Sequence, residues 1–180
     1  MNVSEADYFR NPGYSQSDMK QALESPELLH WMKHEGGRAE RKPSPQMIEG
    51  TLAHACILEP EKFMATYKVC GPRNTKAGKE EAKEAIESGR QPITQAQYEK
   101  ALGMNIAVND NLLCNSFFVD GLAEQSVFSE DDRTALPMKA RLDWITENDT
   151  IVDLKTVAAG GASPANFAEQ VANFKYHLQA

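Results

Sequence analysis

The hydrophobic period of this chain changes part-way along its length, which limits the folds open to it. Up to about residue 115 apolar residues recur at helical spacing, and from Leu122 they alternate as in strands. Ser163-Pro164 then joins a capping residue to a proline at the first turn, which indicates a helix start. Helices, a strand meander and a final helix predict an α/β or α+β layered domain.

Local signals give approximate element bounds. Helix starts are predicted at four capping residues: Ser15, Ser25, Ser44 and Thr94. The last two helices are expected to run to Leu58 and about Cys114, and the polar stretch 74–90 is expected to be a loop with some helix. Three strands are predicted, over 124–128, 137–145 and 150–157.

Length and charge narrow the class of protein. A chain of 180 residues is long enough for one core, so we predict a single domain over 1–180, with a mostly helical lead (1–115) and catalytic strands and helix (122–180). A net charge of −7 argues against a general basic surface, so any DNA binding must be local. No apolar run approaches a membrane span and no signal peptide is visible, which predicts a cytoplasmic protein without membrane contact.

Two further features of the sequence are its cysteines and a basic segment. The three cysteines, Cys56, Cys70 and Cys114, are too widely spaced for a metal knuckle, and we expect buried free thiols. Arg38 and Arg41 lie in a basic extended segment that is either a solvated linker or a strip that contacts DNA phosphates.

The chemistry is expected on two neighbouring strands. Alternation places Lys139, Arg141 and Asp143 on one face of the first strand, and Asp153 with Lys155 on one face of the next. An antiparallel pairing puts the two carboxylates on a common face only with an odd-length loop or a bulge between the strands, which we predict. The alternative is a set of surface salt bridges on a solvated hairpin.

Two carboxylates on one face repel each other unless a cation neutralises them. Oxygen ligands favour a hard ion, Mg²⁺ or Mn²⁺. A lysine beside that ion can stabilise the charge that develops on a phosphoryl group during phosphodiester cleavage.

Five segments in order resemble the motifs of RecE-like exonucleases (exodeoxyribonuclease VIII and its phage relatives), within the wider PD-(D/E)XK superfamily and its RecB-type kin. These segments are Gly50-Thr51-Leu52-Ala53-His54, Glu124-Gln125-Ser126-Val127, Arg141-Leu142-Asp143-Trp144, Asp153-Leu154-Lys155-Thr156 and Tyr176-His177-Leu178-Gln179-Ala180. The resemblance implies a restriction-endonuclease-like core, with a central mixed sheet flanked by helices.

The resemblance also implies roles for single residues. His54, Asp143 and Asp153 would bind the metal with the Leu154 carbonyl as a further ligand, and Glu124 would lie beside them. Lys155 would be the catalytic lysine, and Gln179 would steady the site or the DNA end. Lys139, Arg141, Arg38 and Arg41 are candidate DNA contacts, whereas Gln170 and His177 match no motif and are expected on a helix surface.

The activity implied is 5′→3′ degradation of double-stranded DNA ends to 5′-mononucleotides, which leaves 3′ tails for a single-strand annealing partner. Relatives form closed rings, so a homo-oligomer is expected. The family motif continues beyond Gln179 to a tyrosine that this sequence lacks, which suggests missing carboxy-terminal structure. The alternatives are a catalytically weak DNA-binding or regulatory module and, more remotely, a scaffold protein.

Overall fold

The structure is a computed structural model that describes residues 3–36, 42–158 and 160–176. Its described elements follow in chain order: α1 (Glu5–Arg10), α2 (Gln16–Glu24), α3 (Pro26–His34), α4 (Pro45–Leu58), α5 (Pro60–Thr66), β1 (Tyr67–Cys70), α6 (Lys76–Glu87), β2 (Gln91–Thr94), α7 (Gln95–Asp110), α8 (Leu112–Phe117), β3 (Gly121–Glu130), β4 (Pro137–Thr146), β5 (Ile151–Val152) and α9 (Pro164–Asn173). The mixture of helices and small sheets is the α+β fold that the sequence predicts.

The chain packs as two compact units. The first takes the described residues of Met1–Lys42, Glu124–Leu142 and Val157–Ala180, and the second takes Pro43–Ala123 and Asp143–Thr156. In the first unit β3 lies beside β4 in the sheet, and Tyr14 adds a parallel bridge to Met138.

The second unit has its core around α4 and α7. This core is formed by buried side chains with partly buried ones against them: Leu52, Cys56, Phe63, Ile93 and Ala101, then Ile48, Ala55, Tyr67 and Tyr98. Strands β1 and β2 pair in parallel, and the end of β4 pairs with β5 in antiparallel fashion. The unit therefore anchors α4 by its apolar face and holds a hairpin in the same body.

Capping chemistry sets most helix starts where the sequence predicts them. The Ser25, Ser44 and Ser163 hydroxyls each accept a hydrogen bond from a first-turn N–H, and a proline follows each of them. Thr94 and Gln97 form the predicted reciprocal box at the start of α7. These starts depend on neighbours in sequence, which is why they can be read from it.

Four element predictions need correction. The stretch 74–90 contains a regular helix, α6, capped by Thr75. The helix predicted to reach Cys114 is broken at Asn111, whose side chain caps α8 instead. The parallel pair β1 and β2 was not predicted, since its strands have four residues each and are joined through α6. Strand β5 ends at Val152 rather than Val157.

None of the described helices combines the length and the apolar character that crossing a bilayer requires.

Candidate functional site

The hairpin of β4 and β5 sets the register of the two candidate carboxylates. Trp144 pairs with Val152 and Ile145 with Ile151, so one further step in this register sets Asp143 opposite Asp153. Directly opposed residues in an antiparallel pair lie on the same face. Both carboxylates therefore belong to one side of the hairpin.

A three-residue loop, 147–149, produces this register. The Thr146 N–H donates to Thr150 O at 2.9 Å, and the Asp149 N–H donates to Thr146 O at 3.0 Å. Asp149 has φ of 58°, in the left-handed region that closes such loops. The odd-length loop predicted from the sequence is observed.

Helix α4 supplies the imidazole. Leu52, Ala53 and Cys56 are buried on this helix, whereas the His54 side chain stays 29% exposed. His54 Nε2 lies 2.6 Å from the Leu154 carbonyl oxygen and 3.8 Å from Asp143 Oδ2. Since a carbonyl can only accept, Nε2 carries the proton in this arrangement.

The backbone of Leu154 lies between the two side chains. Its carbonyl accepts from His54, and its N–H donates to Asp143 Oδ2 at 2.7 Å. Both polar groups of this residue thus bind site side chains rather than a neighbouring strand. This explains why β5 ends two residues earlier, at Val152.

Lys155 and Asp153 extend the site along the same segment. Lys155 Nζ lies 2.6 Å from Asp153 Oδ1, and the side chains are 19% and 39% exposed. The ammonium thus neutralises the more exposed of the two carboxylates.

The surroundings of Asp143 disfavour the ionised form of its carboxyl group. Burial raises the pKa of its carboxyl group, and the neighbouring Asp153 charge adds to the rise. The Leu154 N–H, His54 and Lys155 oppose the rise without cancelling it. A carboxylate in these surroundings is stabilised by an added cation.

A divalent ion needs several donor atoms close together. Among the described residues, no three His, Cys, Asp or Glu side chains gather closely enough to hold a metal ion. Of the candidate donors that the structure describes, His54 and Asp143 converge beside the Leu154 oxygen, while the Asp153 carboxylate is bound by Lys155. The carbonyl and the two carboxylates are the oxygen ligands that Mg²⁺ and Mn²⁺ prefer, so the residues present fit such an ion by the chemistry of their donor atoms.

Glu124, the other predicted catalytic acid, belongs to the first unit. Its carboxylate accepts from Arg141 Nε at 2.6 Å, and Arg141 Nη1 donates to Ser126 Oγ at 3.3 Å. Glu124 also has φ of 52°, which is rare for a residue with a Cβ. The predicted acid and one predicted DNA contact are therefore bound to each other.

Two other polar side chains from the sequence analysis, those of Lys139 and Gln170, donate to backbone carbonyls. Lys139 Nζ donates to the carbonyls of Tyr8 and Asn11, which makes it an internal anchor for the end of α1. Gln170 Nε2 donates to Gly161 O at 3.2 Å and is partly buried. The predictions for Gln179, His177, Arg38 and Arg41 lie outside the described residues.

The cysteine prediction is right in part. Cys56 and Cys70 are buried free thiols, but Cys114 is exposed on the short helix α8.

Sequence reasoning missed two features of the site. It assigned a role to the Leu154 carbonyl but none to its N–H, which no residue pattern reveals. It also overlooked the approach of Gly50 to Thr156, although a glycine four residues before a site histidine on one helix is a usable signal.

A family model described as a PDDEXK-like domain of unknown function (DUF3799) matches residues 15–180. The chain belongs to this family. PDDEXK-like domains are typical of nucleases that act on DNA and generally use divalent metal ions, and their α+β fold agrees with the fold observed in this PDDEXK-like domain. A search of curated proteins found no match.

Proposed function

We propose that this PDDEXK-like domain is a metal-dependent exonuclease that degrades double-stranded DNA in the 5′→3′ direction. The observation that supports nuclease chemistry is the convergence of His54 Nε2 and Asp143 Oδ2 on the Leu154 backbone, at 2.6 Å and 2.7 Å. The polarity and the 5′-mononucleotide products rest on the resemblance of five ordered motifs to RecE-like exonucleases.

His54, Asp143, Asp153 and the Leu154 carbonyl would hold the ion, Mg²⁺ or Mn²⁺, and His54 Nε2 would release the proton that it donates to the carbonyl. When bound, the ion would supply Lewis-acid chemistry, polarising a phosphoryl oxygen and making water a better nucleophile at neutral pH. The oxygens of Asp143 and Asp153 would gain a partner for two charges that otherwise repel each other.

Lys155 would stabilise the developing negative charge. Its ammonium lies beside Asp153, and its side chain is largely shielded from water. An electrostatic contact is stronger in such a shielded position than in bulk solvent. With a cation bound to that carboxylate, the ammonium would be placed to contact a phosphoryl oxygen as well. By the resemblance, Glu124 would be a further catalytic acid.

By the same resemblance, the proposed substrate is the end of a DNA duplex, and Gln179 would steady it. A homo-oligomeric ring would keep a protein of net charge −7 on DNA without a broad basic surface. A single-strand annealing protein is the proposed partner for the 3′ tails.

The experiment that tests this function is digestion of linear duplex DNA labelled at its 5′ ends or its 3′ ends, with Mg²⁺ or with EDTA. Asp153→Asn removes the negative charge of a proposed ligand. Asp149→Asn makes the same chemical change in the loop of the same hairpin, where asparagine also tolerates the left-handed backbone. We expect Mg²⁺-dependent release of 5′-mononucleotides that is lost only in Asp153→Asn.

Each other outcome has its own meaning. Release from 3′ ends, or cleavage of circular DNA, would keep the nuclease and overturn the RecE-like polarity. DNA binding without cleavage by a folded protein would favour the alternative of a binding or regulatory module. Equal activity of Asp153→Asn and Asp149→Asn would remove Asp153 from the site.

A further inference from the structure

Gly50 lies in the middle of α4, where glycine is a costly choice. Glycine weakens a helix interior relative to alanine because it loses more backbone freedom on folding. A Cβ added at Gly50 would lie 3.1 Å from Thr156 Oγ1, which is tighter than ordinary van der Waals contact. A Cβ added at Gly103, within α7, meets no atom of the described residues within 4 Å. Gly50, unlike Gly103, is therefore a point of close approach.

The approach occurs on the helix face that carries His54. Residues four apart lie on one face, separated by about 6 Å along the helix axis. His54 contacts Leu154, and Gly50 meets Thr156, so the helix and the segment 154–156 run in opposite directions. Two residues of extended chain span about 6.6 Å, which is close to the axial distance of about 6 Å between Gly50 and His54. The two contacts thus form one matched pair.

We propose that Gly50 is a positioning residue for His54. Its missing side chain lets α4 lie close enough to the segment for Nε2 to reach the Leu154 carbonyl at 2.6 Å and to approach Asp143 at 3.8 Å. A methyl group at Gly50 pushes against Thr156 Oγ1 and withdraws the imidazole from both. The effect on metal binding rests on the proposed function, whereas the effect on the imidazole contact does not.

The test compares Gly50→Ala, Thr156→Ala, the double variant and Gly103→Ala. The double variant removes Thr156 Oγ1, the atom of the described chain that the added methyl group meets. Gly103→Ala makes the same substitution in a helix where space is open. The ring nitrogen resonances of His54, assigned with His54→Gln, report its hydrogen bond to Leu154 without any metal or DNA. Calorimetric Mn²⁺ binding and the kcat and KM of cleavage report the consequence.

In Gly50→Ala we expect a shifted His54 Nε2 resonance, Mn²⁺ binding weakened by about 10–100-fold, and a lower kcat with unchanged KM for DNA. The double variant should match Thr156→Ala in these measurements, because the methyl group no longer meets Thr156 Oγ1. Gly103→Ala should match the wild type. An unshifted resonance in Gly50→Ala, or no recovery in the double variant, would overturn the proposal.

Circular dichroism checks that each variant is folded. A folded double variant beside an unfolded Gly50→Ala would support the steric contact, and two unfolded variants would overturn it. A wild type that shows the expected His54 pattern but neither binds Mn²⁺ nor cleaves DNA would contradict the proposed function and leave the role of Gly50 intact.

Discussion

At the scale of single residues, the backbone of Leu154 organises the candidate site. Its N–H and carbonyl bind Asp143 and His54, so the main chain of one residue links the helix to the hairpin of the second unit. A buried polar group without a hydrogen-bond partner destabilises the folded state, so these contacts also stabilise the fold. Replacing a site side chain should therefore have two distinct effects, one on the free energy of unfolding and one on the rate of DNA cleavage.

Substitutions of Asp143 can separate the two effects. Asp143→Asn keeps an oxygen that accepts from the Leu154 N–H but loses the charge, whereas Asp143→Ala loses both. We expect each to reduce cleavage by more than about 100-fold, since even outer partners of a metal ligand cost 10–100-fold. Only Asp143→Ala should also lower the free energy of unfolding, by about 1–3 kcal/mol. Urea unfolding and the DNA digestion assay measure both, and near wild-type cleavage by Asp143→Asn would exclude it as a ligand.

At the scale of elements, the hairpin depends on the conformation of one loop residue. Asp149 is held at φ of 58°, and its N–H closes the turn on Thr146. Asp149→Val should lower the free energy of unfolding by about 1–2 kcal/mol, because a β-branched residue is strained in the left-handed region. Asp149→Gly should cause no loss, since glycine enters that region freely. Thermal unfolding compares the two variants, and equal losses would contradict the assigned turn.

At the scale of the whole molecule, a buried carboxylate in the first unit couples stability to pH. Burial alone would raise the pKa of Asp18, but two hydrogen bonds from Ser15 and the ammonium of Lys33 outweigh it and lower the pKa. Lys33 Nζ lies 3.2 Å from Asp18 Oδ2, and the side chains are only 13% and 2% exposed. Since the folded-state pKa lies below the unfolded value of about 3.9, this stabilisation is present above pH 4 and is lost as pH falls through the folded-state pKa.

Asp18→Asn tests that coupling. It leaves the Lys33 ammonium buried without its charge partner, which we expect to cost about 3 kcal/mol of unfolding free energy near neutral pH. The difference from wild type should shrink as the pH is lowered from 6 to 3, since the Asp18 carboxyl group of the unfolded wild type takes up a proton before that of the folded protein does. Thermal unfolding across this range measures it, and a constant difference would contradict the assigned pKa direction.

The sequence by itself determined the parts that depend on near neighbours. The serine and threonine caps, the prolines after them and the alternation along β4 are local signals, so the helix starts and the strand were predicted within a few residues. The motif order also placed the chain in a PDDEXK-like family. The charge-rich helix α6 was misjudged, because polar composition does not exclude a capped helix.

Only the tertiary structure decided which of these residues meet. Three contacts join residues that are 11 or more positions apart in the sequence. They are the hydrogen bond from the Leu154 N–H to Asp143, the approach of Gly50 to Thr156 and the ion pair of Glu124 with Arg141. Such contacts depend on how helices and strands pack, which fixes distances that no local pattern contains. The sequence therefore identified the chemical groups of the candidate site, and packing decided the backbone that holds them.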